Sequence, residues 1–340
     1  DFTHEPAVKL SEELIKILPK GQNRIFFNDN GSTAVEAAIK MTLQYHFNRG
    51  EKRATFIAFE GGFHGDTFGA MSVSGLSVYN GPFEDFLMEV KRLPVPNGEN
   101  EAAITALLKS YTENYAIAGF IYEPLIQGAA GMKMHDADGL NTILSFCKSN
   151  DIITIADEVM TGFGKTGKNF ASDHVETKPD IICLSKALTA GLLPMAITSC
   201  TEEIYKAFLS HDIAKGFFHC HTYAANPVAC SAALAGIELL QTKEIQKKIQ
   251  EIENAHREFE QRIQKHPKVR ETRSIGNIFA LDLNTESERY GGLRDKLLKF
   301  FLDNGVFLRP LGNTLYLQVP FVISKEELYK VYRVLEDSLE

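Results

Sequence analysis

Short apolar runs alternate along this chain with stretches in which apolar residues return every three or four positions. Runs at 24–28, 55–59, 116–122, 152–157, 181–184 and 195–200 have the length of buried strands. Between them, Leu10, Leu14, Ile17 and Leu18 predict a helix over 10–18. Val35, Ala38, Ile39, Thr42 and His46 predict a second helix, opening at Gly31 behind the turn and cap residues Asn28, Asp29 and Asn30. Residues 101–110 and 138–150 read as helices too. Strands in alternation with helices predict a parallel sheet covered on both faces. A long helical region at 227–266, with a break at 241–243, leads to a smaller C-terminal domain. There, 306–310 and 314–319 flank Gly312-Asn313, a hairpin signal, and Arg309 falls in the first of these strands. The predicted division is a large domain at 1–240, then a connecting helix and small domain at 241–340.

Several strands end in polar residues, and the carboxyl ends of parallel strands are where such sheets bind ligands. The run at 152–157 ends on Asp157 and Glu158, and the run at 181–184 is followed by Lys186. An acid and a lysine at adjacent strand ends can hold pyridoxal phosphate, the amine on the aldehyde and the acid on the pyridine nitrogen. The apolar neighbours of Lys186 (Ile181, Ile182, Cys183, Leu184, Ala187, Leu188) predict that it is buried, which would lower its pKa toward a usable nucleophile. The same stretch also fits a lysine leaving a strand end for solvent, with Asp157 and Glu158 capping a loop. Gly31, Ser32 and Thr33 open a helix, where free N–H groups favour an anion; an ordinary N-cap reads the same way. After 55–59, Gly61, Gly62 and Gly65 allow a sharp turn that presents Phe63 to a flat ring and His64 and Asp66 as polar partners. A glycine-rich turn over a core phenylalanine is the alternative. Glu123 and Gln127 follow the run at 116–122.

Composition narrows the choice. The chain has 340 residues, 44% of them hydrophobic, and a net charge of −8. That is enough chain for one large or two ordinary domains, and the mild acidity, with no Lys/Arg block, argues against a nucleic-acid surface. No apolar run approaches membrane-spanning length. The five cysteines lack a CxxC, and Cys183, Cys200 and Cys230 sit in apolar runs, which predicts reduced thiols in an intracellular, cytoplasmic protein. The N-terminal DFTHEPAVKL is no signal peptide and enters a helical pattern almost at once, as in a chain whose beginning is missing.

Three motifs point elsewhere and fail on context. Gly162, Gly164 and Gly167 spell GxGxxG, but no helical period follows and Pro179 intervenes. Gly164-Lys165-Thr166 resembles the end of a P-loop, yet position 159 is valine where the earlier glycine belongs. His219, Cys220 and His221 lack a well-placed third ligand, so no metal is expected.

Taken together, GS at 31–32, GGFHGDTFG at 61–69, EPLIQGAAGM at 123–132, IADEVMTGFGKTGK at 155–168, DIICLSKAL at 180–188 and HTYAANPVAC at 221–230 resemble the class III, or ω-, aminotransferases, in that family's order. HGDTFGAMSV, QGAAGM and GVFLRPLGNTLYLQVPF resemble most closely the branch that serves biotin synthesis. The resemblance implies the PLP-dependent transferase fold type I, a large domain with a mainly parallel sheet flanked by helices plus a smaller α/β C-terminal domain. It implies a homodimer with a shared active site, and transfer of an amino group from S-adenosylmethionine to the keto acceptor 8-amino-7-oxononanoate. Lys186 would hold the cofactor and shuttle the proton, with Asp157 on the pyridine nitrogen and Phe63 on the ring face. Gln127 would lie near the 3-hydroxyl, Gly31 and Ser32 on the phosphate, and Thr222 on the phosphate of the neighbouring subunit. Arg309 would hold the acceptor carboxylate, and Asp66 and Tyr316 match substrate-side positions. Departures from that branch are Phe63 for tyrosine, Ser185 for the glycine before the lysine, Lys165 for arginine, and Cys220-His221 for Gly-Pro; its N-terminal segment with aromatic substrate contacts is not in this sequence. Two alternatives stay open: a class III enzyme acting on another ω-amino acid or a diamine, and a non-catalytic homologue that binds the cofactor without turnover.

Overall fold

The computed structural model describes residues 3–75, 80–285 and 291–340. They form two compact units, one of 1–163 and 169–239, the other of 164–168 and 240–340. The first unit is built on strands β1 (Gln22–Asn28), β2 (Thr55–Phe59), β3 (Val90–Leu93), β4 (Ile117–Tyr122), a small β5–β6 hairpin (Ile126–Gln127 and Lys133–Met134), β7 (Ile153–Asp157), β8 (Ile181–Leu184) and β9 (Ala196–Thr201). Seven of these make one sheet in the order β1-β9-β8-β7-β4-β2-β3. Only β9 runs against its neighbours; β8, β7, β4, β2 and β3 are parallel. The carboxyl ends of β2, β4, β7 and β8 therefore open on one edge.

The helices of this unit are α1 (Glu5–Ile17), α2 (Gly31–Asn48), α3 (Phe68–Val73), α4 (Glu101–Asn114), α5 (Ala137–Ser149), α6 (Glu202–Lys206) and α7 (Pro227–Leu240). α2 is central. Asn30 caps it, its side chain accepting the Thr33 N–H while the Thr33 hydroxyl accepts the Asn30 N–H, a reciprocal pair that fixes the first turn. Its small residues Ala34 and Ala38, with Val35 and Ile39, let it lie close on the sheet against Phe56, Ile121, Ile155 and Ile181. On that buried face the Thr42 hydroxyl donates to Ala38 O, and His46 Nε2 donates to Ala118 O at 2.9 Å.

The second unit carries α8 (Lys243–Ile263), the antiparallel sheet β10 (Val269–Ile275), β11 (Ile278–Leu283) and β12 (Thr314–Gln318), α9 (Gly292–Asp303) and α10 (Lys325–Asp337). The break read at 241–243 is real: α7 ends at Leu240 and Thr242 caps α8. The loop 164–168 docks on the β10–β11 turn, where Asn277 N–H donates to Lys165 O at 3.0 Å. Gly276, at φ +54°, makes this approach possible, since a Cβ there would sit 2.3 Å from Gly167 N. Residues 306–310 are not a strand, contrary to the hairpin reading. The loop Gly312-Asn313 closes as a single bridge, Leu311 with Thr314, and Pro310, with fixed φ and no N–H to donate, carries the ladder no further. Arg309 thus stands outside any strand. α3, β3, α9 and α10 were not anticipated, although Leu328, Tyr332 and Leu335 in α10 do follow a helical period.

His256 is fully buried in this unit. The Tyr332 hydroxyl donates to its Nδ1 at 2.7 Å, and its Nε2 donates to Asn277 O at 3.2 Å, so the neutral ring is satisfied on both sides. Tyr332→Phe leaves Nδ1 buried without a donor and should cost about 1–3 kcal/mol, read as an earlier urea midpoint. Burial also pushes His256 down to about 4 from 6.5. Between those values the unfolded chain binds a proton that the folded one does not. Stability is therefore lost as pH falls from about 6.5 toward 4. Between pH 7 and 5 the wild type should lose about 2 kcal/mol more than His256→Gln; equal losses in the two proteins would remove His256 from the account.

Candidate active site

Asp157 is the last residue of β7 and only 4% exposed. Its Oδ2 accepts from His64 Nδ1 at 2.7 Å and its Oδ1 from the Val159 N–H at 3.1 Å. A carboxylate only accepts, so Nδ1 carries the proton, and His64 Nε2 is left buried without a partner among the described residues. His64 is held in turn: its N–H donates to the Ser74 hydroxyl at 2.8 Å. The half-buried Arg92 guanidinium on β3 clamps the carbonyls of Ser72, Val73 and Ser74 at 2.6–2.8 Å, closing the C-terminal end of α3. Burial pulls Arg92 down to about 10.

In the β7–β8 ladder Asp157 lies beside Cys183. The chain leaves β8 at Leu184, and Ser185 fixes the turn by donating to Met195 O at 2.8 Å. Lys186 then opens a short 3₁₀ turn with φ +43°, a left-handed conformation that costs a non-glycine residue about 1–3 kcal/mol and is concentrated at functional sites. Lys186 is exposed, which corrects the burial expected from its apolar neighbours. Leu184 and Leu188 stay in the core, while the turn at Ser185 takes Lys186 out of line with the strand.

The loop after β2 and the segment after β4 meet at the same edge. Gly75 closes on Gly61, where a Cβ would come within 2.8 Å of Gly61 N. Phe63 is partly exposed, and its N–H donates to Glu123 Oε1 at 3.0 Å. Gln127 is buried; its amide donates to Glu60 O at 2.9 Å, and its Oε1 has no partner among the described residues. The start of α2 joins from the other side. Gly31 passes Val159 so closely that a Cβ would lie 2.9 Å from its methyl, and Ser32 Oγ accepts the Asp66 N–H at 3.2 Å. Gly65, at φ +132°, is required there: a Cβ would overlap Ser32 Oγ at 2.3 Å.

Asp157, His64, Phe63, Asp66, Gln127, Gly31 and Ser32 are thus assembled at one edge, beside the strand that delivers Lys186. Thr222 is exposed in a turn whose neighbour His221 comes within 3.7 Å of Asp29. Arg309 and Tyr316 belong to the second unit, Arg309 exposed and Tyr316 half-buried beside Ala280. Glu158 turns away from this edge and accepts from the N–H groups of Ala171 (2.7 Å) and Ser172 (2.8 Å) and from the Thr161 hydroxyl (3.1 Å). It is the loop anchor that an acid at this position can be. Burial pushes both Glu123 and Glu158 up to about 7, and holds His135, which donates to Glu123 O at 2.9 Å, down to about 4. The roles of Arg92, Ser74 and His135 were not read from the sequence, since nothing in their spacing links them to this edge.

The donor set fits pyridoxal phosphate. An amine on an exposed turn, a buried carboxylate with lone pairs to spare, an accessible aromatic face and an orphaned amide oxygen are the partners that an aldehyde, a pyridinium, a flat ring and a phenolic hydroxyl need. Helix α2 adds first-turn N–H groups that lack intrahelical acceptors.

The family profile described as Aminotransferase class-III matches residues 1–339. A Synechococcus elongatus protein, adenosylmethionine-8-amino-7-oxononanoate aminotransferase, is 44% identical across 100% of this chain and 82% of its own length. The crystal structure of the Methanocaldococcus jannaschii protein of that name superposes with a TM-score of 0.92 at 33% identity, covering 99% of this chain and 80% of that one. An amine transaminase from an uncultivated Pseudomonas species, in its PLP-bound form, gives 0.91 at 29% identity, covering 99% and 81%. The chain belongs to the class-III aminotransferases, enzymes that work with pyridoxal phosphate.

Proposed function

We propose that this enzyme transfers the amino group of S-adenosylmethionine to 8-amino-7-oxononanoate, as a step of biotin synthesis in the cytoplasm. The observation that carries the aminotransferase reading is the buried Asp157–His64 pair at the end of β7, beside the strand that leads to Lys186. The choice of substrates is supported by the name shared by relatives at 44% and 35% identity.

Pyridoxal phosphate, when bound, supplies an electron-withdrawing ring that stabilises negative charge on the carbon bearing the transferred amino group. Lys186 would hold the aldehyde carbon through its amine, and the same amine would carry the proton of the substrate carbon. Asp157 would pair with the pyridine nitrogen, and His64 holds the Asp157 carboxyl group in place through its Nδ1–H. Phe63 would cover one face of the ring and Gln127 would meet its 3-hydroxyl. The N–H groups of Gly31 and Ser32 bind the phosphate. The active unit is a homodimer in which the partner subunit's Thr222 completes the phosphate site. Arg309 pairs with the acceptor carboxylate through its planar guanidinium, with Asp66 and Tyr316 on the substrate side.

Lys186→Ala should abolish the yellow band of the lysine-bound cofactor and lower turnover by roughly 10³-fold or more; steady-state turnover near the wild-type rate would defeat the assignment. Asp157→Asn removes the charge opposite the pyridine nitrogen. Because such a charge moves a pKa by 1–3 units, kcat should fall roughly 10- to 1,000-fold. The substrate choice is tested by the visible spectrum of the wild type with pyridoxal phosphate, before and after S-adenosylmethionine. Loss of the yellow band is expected. A band that ignores adenosylmethionine but responds to a diamine or an ω-amino acid would move the enzyme to another class-III activity, and a band inert to every amine would make it a binding protein.

A further inference from the structure

Glu123 follows β4 directly, and its side chain is buried. Its two oxygens serve two different loops. Oε1 accepts the N–H of Phe63 at 3.0 Å and Oε2 the N–H of Gly128 at 3.0 Å. Its backbone is pinned at the same point, its carbonyl taking His135 Nε2 at 2.9 Å. Gly128 follows Gln127, whose amide reaches back to Glu60 O at the start of the Phe63 loop. The two loops therefore close a ring of hydrogen bonds with one carboxyl group at its centre, and they carry the two side chains assigned above to the face and the 3-hydroxyl of the cofactor.

We propose that Glu123 is a positioning residue for the cofactor ring, setting through its two oxygens both the Phe63 backbone and the Gln127–Gly128 turn. The proposal rests on the roles given to Phe63 and Gln127 in the preceding subsection. Geometry gives the reason for a carboxyl group here. A glutamine of the same size presents one oxygen and one NH₂, so one of the two N–H donors would face another donor. Burial pushes Glu123 up to about 7, and the Phe63 and Gly128 N–H bonds oppose that rise, as donors to a carboxylate do.

The test is a double-mutant cycle on cofactor binding. Wild type, Glu123→Gln, Phe63→Ala and the double variant are stripped of cofactor and titrated with pyridoxal phosphate, following the visible circular dichroism of the bound ring and its Kd. Leaving one buried N–H without its acceptor is worth about a tenfold change in Kd. Glu123→Gln should therefore bind roughly 10-fold more weakly with an altered dichroic band, while the melting temperature of the cofactor-free protein falls by only a few degrees. The same change should have much less effect once Phe63 is alanine. An unchanged Kd and dichroic band, or fully additive effects, overturn the proposal. If Glu123→Gln does not fold, amide exchange in the wild type decides. Strong protection of the Phe63 and Gly128 N–H groups supports the proposal, and exchange at the rate of an open loop overturns it. A wild type that binds no pyridoxal phosphate defeats the preceding assignment and this inference with it, an outcome separate from a wild type that binds and a variant that binds equally well.

Discussion

The site depends on a carboxyl group held by hydrogen bonds at the end of a buried strand. Asp157 is nearly inaccessible, and a carboxylate away from water is costly unless it is paired and hydrogen-bonded. His64 and the Val159 N–H supply the pairing, and the rest of the first unit supplies His64. Its backbone hangs on Ser74, Ser74 sits at the end of α3, and Arg92 closes that end with three carbonyl contacts. Side chains from β3, α3, the loop after β2 and β7 are thereby committed to one ring nitrogen. A change at Arg92, exposed to no ligand, acts on the site through this chain of bonds.

The parallel sheet explains why these pieces meet at all. Four strands of one direction end along one edge, so four loops emerge together whatever their distance in sequence. Residues 63 and 123 are bonded across 60 positions, and 64 and 157 across 93. Close approach then depends on residues without side chains. Gly65 admits Ser32 of α2, and Gly31 admits Val159, so the helix that offers its free N–H groups lies against the loop that leaves Asp157.

Much of this was legible in the sequence, for a physical reason. Apolar runs of four to seven residues bounded by acids, glycines and a lysine mark strand ends, and ligands collect at the strand ends of parallel sheets. Asp157, Lys186, the α2 cap and the Phe63 loop were found that way. The state of Lys186 was not, because its apolar neighbours describe the core on either side of a turn whose left-handed residue no pattern reveals. Arg309 was placed in a strand because Gly312-Asn313 is a good hairpin loop, but Pro310 limits that hairpin to one bridge. The partners of Glu123 were beyond reach for another reason: both are backbone N–H groups, which every sequence contains everywhere.

Three buried carboxyl groups at neighbouring strand ends, Asp157, Glu158 and Glu123, show how donors rather than residue type set a role. Glu158 accepts from two backbone N–H groups and a hydroxyl, all in the loop that follows it, so its charge is spent on holding that loop. Glu123 divides its oxygens between two loops and has no cation bonded to it among the described residues, so burial raises it as it does Glu158. Of the three, Asp157 is the one bonded to an imidazole, that of His64. Adjacent positions on a strand point to opposite faces. The sequence Asp157-Glu158 therefore turns one carboxyl group to the His64 imidazole and the next to the following loop, and exchanging the two would place the longer side chain where the imidazole stands and leave the loop anchor one methylene short.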